Sequence, residues 1–449
     1  MTPPNSPPPA ADAPLPPSPP GVPVLGHTHR LLRTNPLDWF TDLSEAYGDV
    51  VRVRIAGQSV IALSNPDDIE RVLIERNQHY RKGGFQKLVT RSLLGNGLVL
   101  AEGDAWRAHR HDLEPAFYPD RLSAYARTIR SHTRSFLDGI TTGDVIDLES
   151  SMKRLTLRII ADALFGVDVA DDTTELGSAF ERILDHFERI SRTYVYLPEW
   201  IPTPENLGYR RALTRLEAVV DEILDAHRDG SVDRRTAVTG LLESDSEWSR
   251  TELRDEIVTL LVAGHETTAL ALTFTGFLLG SHPDIASRAA TAARRLEGPN
   301  FVEAVADCDV LDRVLKESLR LYPPVYGIFR EPTTDDVLGG YRIPSGSILA
   351  LNQWVVHRDD RFFPRPTEFR PERWTPAFEQ SLSPGAYFPF AAGPRRCLGD
   401  RFASLEAKLV LASLLRRFDI ELVSEGSLDV VPSLTTQPKN PVRVRLTEA

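Results

Sequence analysis

Apolar residues recur along most of the chain at intervals of three and four, the spacing of one helical face. That spacing predicts helices over 67–75, 122–137, 152–165, 178–190 and 209–228. It also predicts an amphipathic helix over 398–418, in which Leu398, Phe402, Leu405, Leu409 and Ala412 share a face. Alternation replaces the helical period at 50–55 and 59–63, which read as a hairpin around Gly57. Further strands are expected over 340–344 and 348–352, taken as a pair, and over 420–424 and 442–446. No internal repeat is visible. Periodicity thus supports a mainly α chain with small β-sheets.

The stretch 257–280 is long and mostly apolar, close to the ~20 residues that span a bilayer. Gly264, His265, Glu266, Thr267 and Thr268 sit near its centre. An ionisable pair there is costly in lipid without a bundle partner, so a buried central helix is the better reading. Ser249 with Glu252 forms a capping box at its start, and Gly280 followed by Pro283 marks its end. Helical threonines can bond back to carbonyls one turn earlier and open the ladder. Gly264 is expected to let a ligand approach closely. Glu266 and Thr267 place an acid beside an alcohol, able to deliver protons through water.

A chain of 449 residues suggests roughly three domains on length alone. Yet no Pro/Gly/Ser-rich linker interrupts it after the start, so one domain over 21–449 is expected. Residues 1–20 are dominated by Pro, Ala and Ser and are expected to be a disordered tail with polyproline character. They lack a basic start followed by an apolar run, so neither a signal peptide nor a membrane anchor is expected. The net charge of −11, with no basic block, argues against nucleic acid as a partner. Only Cys308 and Cys397 are present, a poor disulfide framework that fits a reducing cytosol. Cys308, in an acidic stretch, reads as structural.

Cys397 lies in the run Tyr387-Phe-Pro-Phe-Ala-Ala-Gly-Pro-Arg-Arg-Cys-Leu-Gly399. Phe390, Gly393, Arg395, Cys397 and Gly399 follow the spacing F-x-x-G-x-R-x-C-x-G. A thiol at a helix N-terminus feels the positive end of the dipole, which favours the thiolate a metal needs. The glycines let the loop turn sharply toward a flat ligand, and Arg395 suits a ligand carboxylate. Glu317 and Arg320 lie three apart on a helical pattern and share a face.

This spacing resembles the haem-ligand loop of the cytochrome P-450 family, the haem-thiolate monooxygenases. Ala263-Gly-His-Glu-Thr-Thr268 resembles that family's oxygen-activation segment, A-G-x-[DE]-T-T. The resemblance runs from about Gly21 to the C-terminus and is strongest from Leu253 onward. It implies a prism-shaped, mainly α fold with small β-sheets, of the soluble prokaryotic type. It implies haem b (iron protoporphyrin IX) with Cys397 as axial ligand to iron, and Ala263, Phe390 and Gly399 against the cofactor. Trp106 and Arg110, in W-x-x-x-R, together with Arg330 and Arg395, would neutralise the propionates. Arg373, in Pro371-Glu-Arg-Trp374, matches an arginine that joins Glu317 and Arg320 in a structural network.

The catalytic residues implied are Glu266 and Thr267. An axial thiolate pushes electron density onto iron and favours O–O cleavage. The implied reaction inserts one oxygen atom from O2 into a C–H or C=C bond of a small lipophilic substrate. No G-x-G-x-x-G segment follows Cys397, so electrons are expected from a separate ferredoxin or flavodoxin and its reductase. A cytoplasmic monomer is expected. A peroxide-driven relative is an alternative, but such enzymes usually replace the acid–alcohol pair. A haem sensor or carrier is another and needs no proton relay. Substrate contacts are expected around 81–100, 180–204, 260–268, 325–329 and 434–436. Phe85, Phe187, Tyr194, Tyr196 and Phe329 there suggest a fatty acid or terpenoid.

Overall fold

The computed structural model describes residues 12–167, 175–193, 196–232, 235–244, 246–296, 298, 300–424 and 426–448, without the side chains of 85, 86, 175 and 191–193. Four of the helices the periodicity predicts are present and lengthened at their starts, while others such as Pro36–Tyr47, Gly84–Leu94 and Pro283–Arg294 were not expected. Pro119–Asp138, Leu148–Phe165, Glu175–Thr193 and Pro204–Arg228 each begin before the apolar period. Capping explains two of these: Asp147 accepts from the Ser150 amide and Thr203 from the Asn206 amide. A hydrophobic pattern cannot report such polar first turns. The expected helix at 67–75 is an α-turn, Pro66–Glu70, that widens into a π-turn over Arg71–Glu75.

The central helix runs unbroken over Arg250–Ser281. Both halves of its capping box are formed: the Ser249 hydroxyl accepts from the Glu252 amide, and the Glu252 carboxylate accepts from the Ser249 amide at 2.9 Å. The helix is long and apolar enough to cross a membrane, but 78% of its most apolar window is buried inside the protein. Leu270 and Phe274 have no exposed surface, and burying each contributes about 1.5–3 kcal/mol.

Its principal neighbour is Leu148–Phe165, and two glycines set their approach. A Cβ on Gly264 would lie 2.1 Å from Ile160 Cδ1, and one on Gly276 would lie 2.7 Å from Leu148 Cδ1. Gly264 therefore serves helix–helix contact rather than the approach of a ligand, which corrects the sequence expectation. Thr156 Oγ1 spans the same seam and donates to the His265 carbonyl at 2.9 Å.

Among the described residues, four small sheets flank the helices. The largest has the strand order Val50–Ile55, Gln58–Leu63, Ile348–Leu351, Ile328–Pro332, Tyr80–Arg81. The expected hairpin pairs in register, Val50 opposite Leu63 and Ile55 opposite Gln58. The strands expected near 340–344 and 348–352 exist but do not pair with each other. Tyr341–Ile343 pairs with Asp336–Leu338, whereas Ile348–Leu351 runs parallel to Gln58–Leu63. The parallel partner lies almost 290 positions away, beyond any local pattern. Arg443–Glu448 is the central strand of a three-stranded sheet and pairs antiparallel with Phe418–Leu422 on one side and Val145–Asp147 on the other.

Of the tail expected to be disordered, residues 1–11 lie outside the described residues. Further on, the carbonyls of Pro14 and Pro17 accept from the Arg342 and Arg52 amides, each at 2.8 Å. Disorder does not extend to that stretch, because edge-strand amides give its carbonyls partners.

Candidate functional site

Cys397 precedes its helix rather than opening it. The helix spans Asp400–Arg417 with Gly399 at its N-cap, and the cysteine stands two residues earlier. The loop is closed by the Cys397 amide donating to the Phe390 carbonyl at 2.8 Å and the Arg396 amide to the Gly393 carbonyl at 3.0 Å. Gly393 holds a left-handed φ of 69°, and a Cβ there would lie 2.2 Å from the Leu73 carbonyl oxygen. Only glycine satisfies both conditions. Ala391 is also left-handed, at φ 59°. Gly399 meets nothing closer than 3.4 Å, so packing alone does not demand glycine there.

Cys397 keeps exposed surface although protein packs around it on most sides. Burial pushes its thiol up, and a hydrogen bond from the Gly399 backbone works against that. The expected thiolate-favouring effect is thus outweighed by desolvation in the protein alone.

Cations gather beside this loop. Arg395 donates to the Ala101 carbonyl at 2.9 Å, pairs with Glu102, and lies 4.6 Å above the Trp106 ring. Arg110, on the same helix as Trp106 (Gly103–Leu113), donates to the Arg396 carbonyl at 2.6 Å and to Glu114 at 3.0 Å. Arg330 is buried in the strand Ile328–Pro332 and donates to its neighbour's carbonyl, Phe329, at 2.8 Å. Burial, reinforced by Arg395, pulls Arg330 down to about 10.

Lys82, which sequence reasoning missed, joins them. Burial and then the charges of Arg330 and Arg395 hold it well below the ordinary lysine range. Glu102 offsets Lys82, Arg330 and Arg395, and it also accepts from the Lys82 amide at 2.7 Å. Buried like charges that depress one another demand further negative charge. A ligand carrying two carboxylates fits that demand. With an exposed thiol on the adjoining loop, the donor set fits haem.

On the central helix, Ala263 is exposed and Thr267 half-buried, while Val262, His265, Glu266 and Thr268 are buried. Thr267 Oγ1 donates to the Ala263 carbonyl at 2.7 Å and Thr268 Oγ1 to Gly264 at 3.0 Å. These back-bonds form without breaking the helix. Glu266 Oε1 accepts from Gln437 Nε2 at 2.6 Å and from Thr435 Oγ1 at 3.1 Å. Burial raises its carboxyl, opposed by Lys153 and by these two donors. Burial also brings His265 down to about 4, so it is neutral at physiological pH.

Ala263, Glu266 and Thr267 line a cavity of about 540 Å³, within the range of about 300–1,000 Å³ usual for ligand sites. Val89, Leu94, Phe187, Ile190, Tyr196, Phe329 and Leu434 make up other parts of its wall. Each of the five expected substrate-contact segments contributes. Tyr194 and the Phe85 side chain lie outside the described residues. The N-terminal wall was not expected from sequence: Leu31, Leu37 and Phe40 stand on two helices the periodicity did not predict, and Ile55 and Gln58 on a hairpin that reads as plain sheet. Cys397, Arg395, Arg110 and Trp106 are not among the lining residues. The candidate residues therefore fall into two groups, one on the cavity wall and one around the cysteine loop.

Behind the loop, Glu317 and Arg320 have no exposed side-chain surface and pair at 2.8 Å, and Arg373 reaches Glu317 at 2.9 Å. Trp374 Nε1, not anticipated from sequence, also donates to Glu317 at 2.8 Å.

A family model described as Cytochrome P450 matches residues 16–444. The chain is 33% identical over 420 residues to cyclooctat-9-en-7-ol 5-monooxygenase of Streptomyces melanosporofaciens, covering 92% of this chain and 90% of that one. It is 31% identical over 441 residues to pentalenene oxygenase of Streptomyces avermitilis, covering 96% of each. The solved structure of a retinoic-acid-bound cyanobacterial CYP120A1 superposes with a TM-score of 0.86 at 29% identity, covering 98% of this chain and all of that one.

Proposed function

The chain belongs to the cytochrome P450 family and is a haem-dependent monooxygenase, and on that premise we propose that it oxygenates a terpenoid held in the 540 Å³ cavity. The observation that carries this reading is the cavity wall, aliphatic and aromatic over most of its extent, with Thr267 and Glu266 on one side. Relatives named for cyclooctat-9-en-7-ol and pentalenene support that substrate class over a fatty acid.

Cys397 would hold the haem iron through its sulfur, and Phe390, Gly399 and Ala263 would pack against the cofactor. Arg395 over Trp106, Arg330, Arg110 and Lys82 would hold its two carboxylates, as in haem b. The haem, when bound, supplies the O2 and electron chemistry; the protein supplies position and polarity. Thr267 spends its one proton on the Ala263 carbonyl, which leaves its oxygen free to accept from a water in the cavity. Glu266 carries a proton more readily than an exposed glutamate because it is buried. The pair is therefore suited to order water and pass it protons. A ferredoxin or flavodoxin with its reductase is the proposed electron source, and residues 21–449 act as one domain in a cytoplasmic monomer.

Titrating the haem-loaded protein with cyclic sesquiterpenes and diterpene alcohols, beside saturated fatty acids, tests the substrate class. Terpenoids should shift the haem absorption and yield monooxygenated product with surrogate redox partners. A shift and product with fatty acids alone would overturn it.

A further inference from the structure

The short hairpin of Val430–Pro432 and Thr436–Pro438 reaches both the cavity and the buried acid. Its turn lends Leu434 and Thr435 to the cavity wall. Its second strand carries Gln437, which donates to Glu266 Oε1 at 2.6 Å while Thr435 donates to the same oxygen at 3.1 Å. Gln437 Nε2 also lies 2.5 Å from Thr435 Oγ1, so the three side chains form one cluster. On the outward side, Lys153 Nζ donates to Gln437 Oε1 at 3.4 Å and to Glu149 Oε1 at 2.5 Å. The Lys153 and Glu149 side chains are 24% and 21% exposed, whereas Glu266 is 1% exposed. A file of polar groups thus leads from solvent to the carboxyl. Thr267 takes no part, because its hydroxyl is committed to Ala263.

We infer that Gln437 and Thr435 are positioning residues for Glu266, fixing its carboxyl on the hairpin in line with Lys153 and Glu149, from whose side it exchanges protons with solvent. This rests on the reading of Glu266 as the proton-handling residue. The charged groups acting on Glu266 are Lys153 and Glu149, both from Leu148–Phe165; its neighbour His265 is turned to the Leu261 carbonyl at 2.7 Å. Two donors on one oxygen and a nearby ammonium stabilise the carboxylate against desolvation. Removing either should make the carboxyl keep its proton to higher pH.

The test is an infrared titration of the haem-loaded full chain, with the Glu266 carboxyl band identified as the one lost in Glu266→Gln. Gln437→Leu should displace its midpoint upward. Lys153→Met should do the same while every residue of the hairpin stays in place, and Lys153→Arg should restore the wild-type value. Gln437 is half-buried on an edge, and the Lys153 variants keep the measurement valid should Gln437→Leu fold poorly. An unmoved midpoint in both Gln437→Leu and Lys153→Met, or no band lost in Glu266→Gln, overturns the inference. Failure of the underlying reading shows elsewhere: Glu266→Gln would then leave the ratio of hydrogen peroxide to NAD(P)H consumed at the wild-type value, whatever the titration gives.

Discussion

Arg320→Ala removes a guanidinium that has no exposed surface and five hydrogen-bonded contacts. Two go to Glu317, at 2.9 and 2.8 Å, and two to the carbonyls of His357 and Pro366, both at 2.7 Å. A longer one reaches the Glu368 carbonyl at 3.3 Å. Glu317 would keep Arg373 at 2.9 Å, Trp374 at 2.8 Å and the Arg370 amide at 3.0 Å. The carboxylate is thus not stripped bare, but the buried His357 carbonyl and the half-buried Pro366 carbonyl each lose this donor. Removing one partner of a buried charged network costs about 3–5 kcal/mol. Against a total stability of about 5–15 kcal/mol, that is a third or more in most of the range. Equilibrium denaturation of the variant, with haem content measured after purification, should show a lower midpoint and partial loss of haem. A loss below about 1 kcal/mol would place the network among surface ion pairs. A stable, haem-loaded variant with selectively lost turnover would refute its structural role.

Three further outcomes follow from single contacts. Gly264→Ala puts a Cβ 2.1 Å from Ile160 Cδ1 and should cost about 1–3 kcal/mol; adding Ile160→Val should restore part of it, and additivity in the double variant would contradict the contact. Thr267→Ala should raise the hydrogen peroxide formed per NAD(P)H while haem content stays unchanged; an unaltered ratio would leave Thr267 as a helix residue only. His109 Nδ1 lies 2.6 Å from the buried Glu256 carboxylate, which raises the imidazole above its ordinary value against the opposing effect of burial. A raised folded-state value means that this stabilisation is complete below the unfolded value of about 6.5. It is lost as pH climbs through the folded one. The thermal midpoint should therefore fall over that alkaline-going window in the wild type and much less in His109→Gln; parallel curves would rule the pair out.

The legible parts of the site were those written in consecutive residues. The spacing from Phe390 to Gly399 and the run Ala263 to Thr268 each fit within a few helical turns, so residue types and spacing carried them. Glu317 with Arg320 was legible for the same reason, three apart on one face. What sequence left out was built across the chain. Lys82 meets Arg330 and Arg395 only in space, and Gln437 reaches Glu266 across 171 positions. Gly264 was assigned to the ligand because its neighbours pointed there, whereas Ile160 on another helix fills the space it leaves. The strand at Ile348–Leu351 was given the nearest partner instead of the distant parallel one. Local periodicity holds no information on which faces meet.

The haem–thiolate assignment of Cys397 rests most directly on one spectrum. Oxygen is a harder and weaker donor to haem iron than thiolate sulfur. The reduced wild-type protein under carbon monoxide should show the red-shifted absorption diagnostic of thiolate ligation, and Cys397→Ser should lose it while Cys308→Ser retains it. A Cys397→Ser protein with the unchanged red-shifted band would remove Cys397 as the ligand.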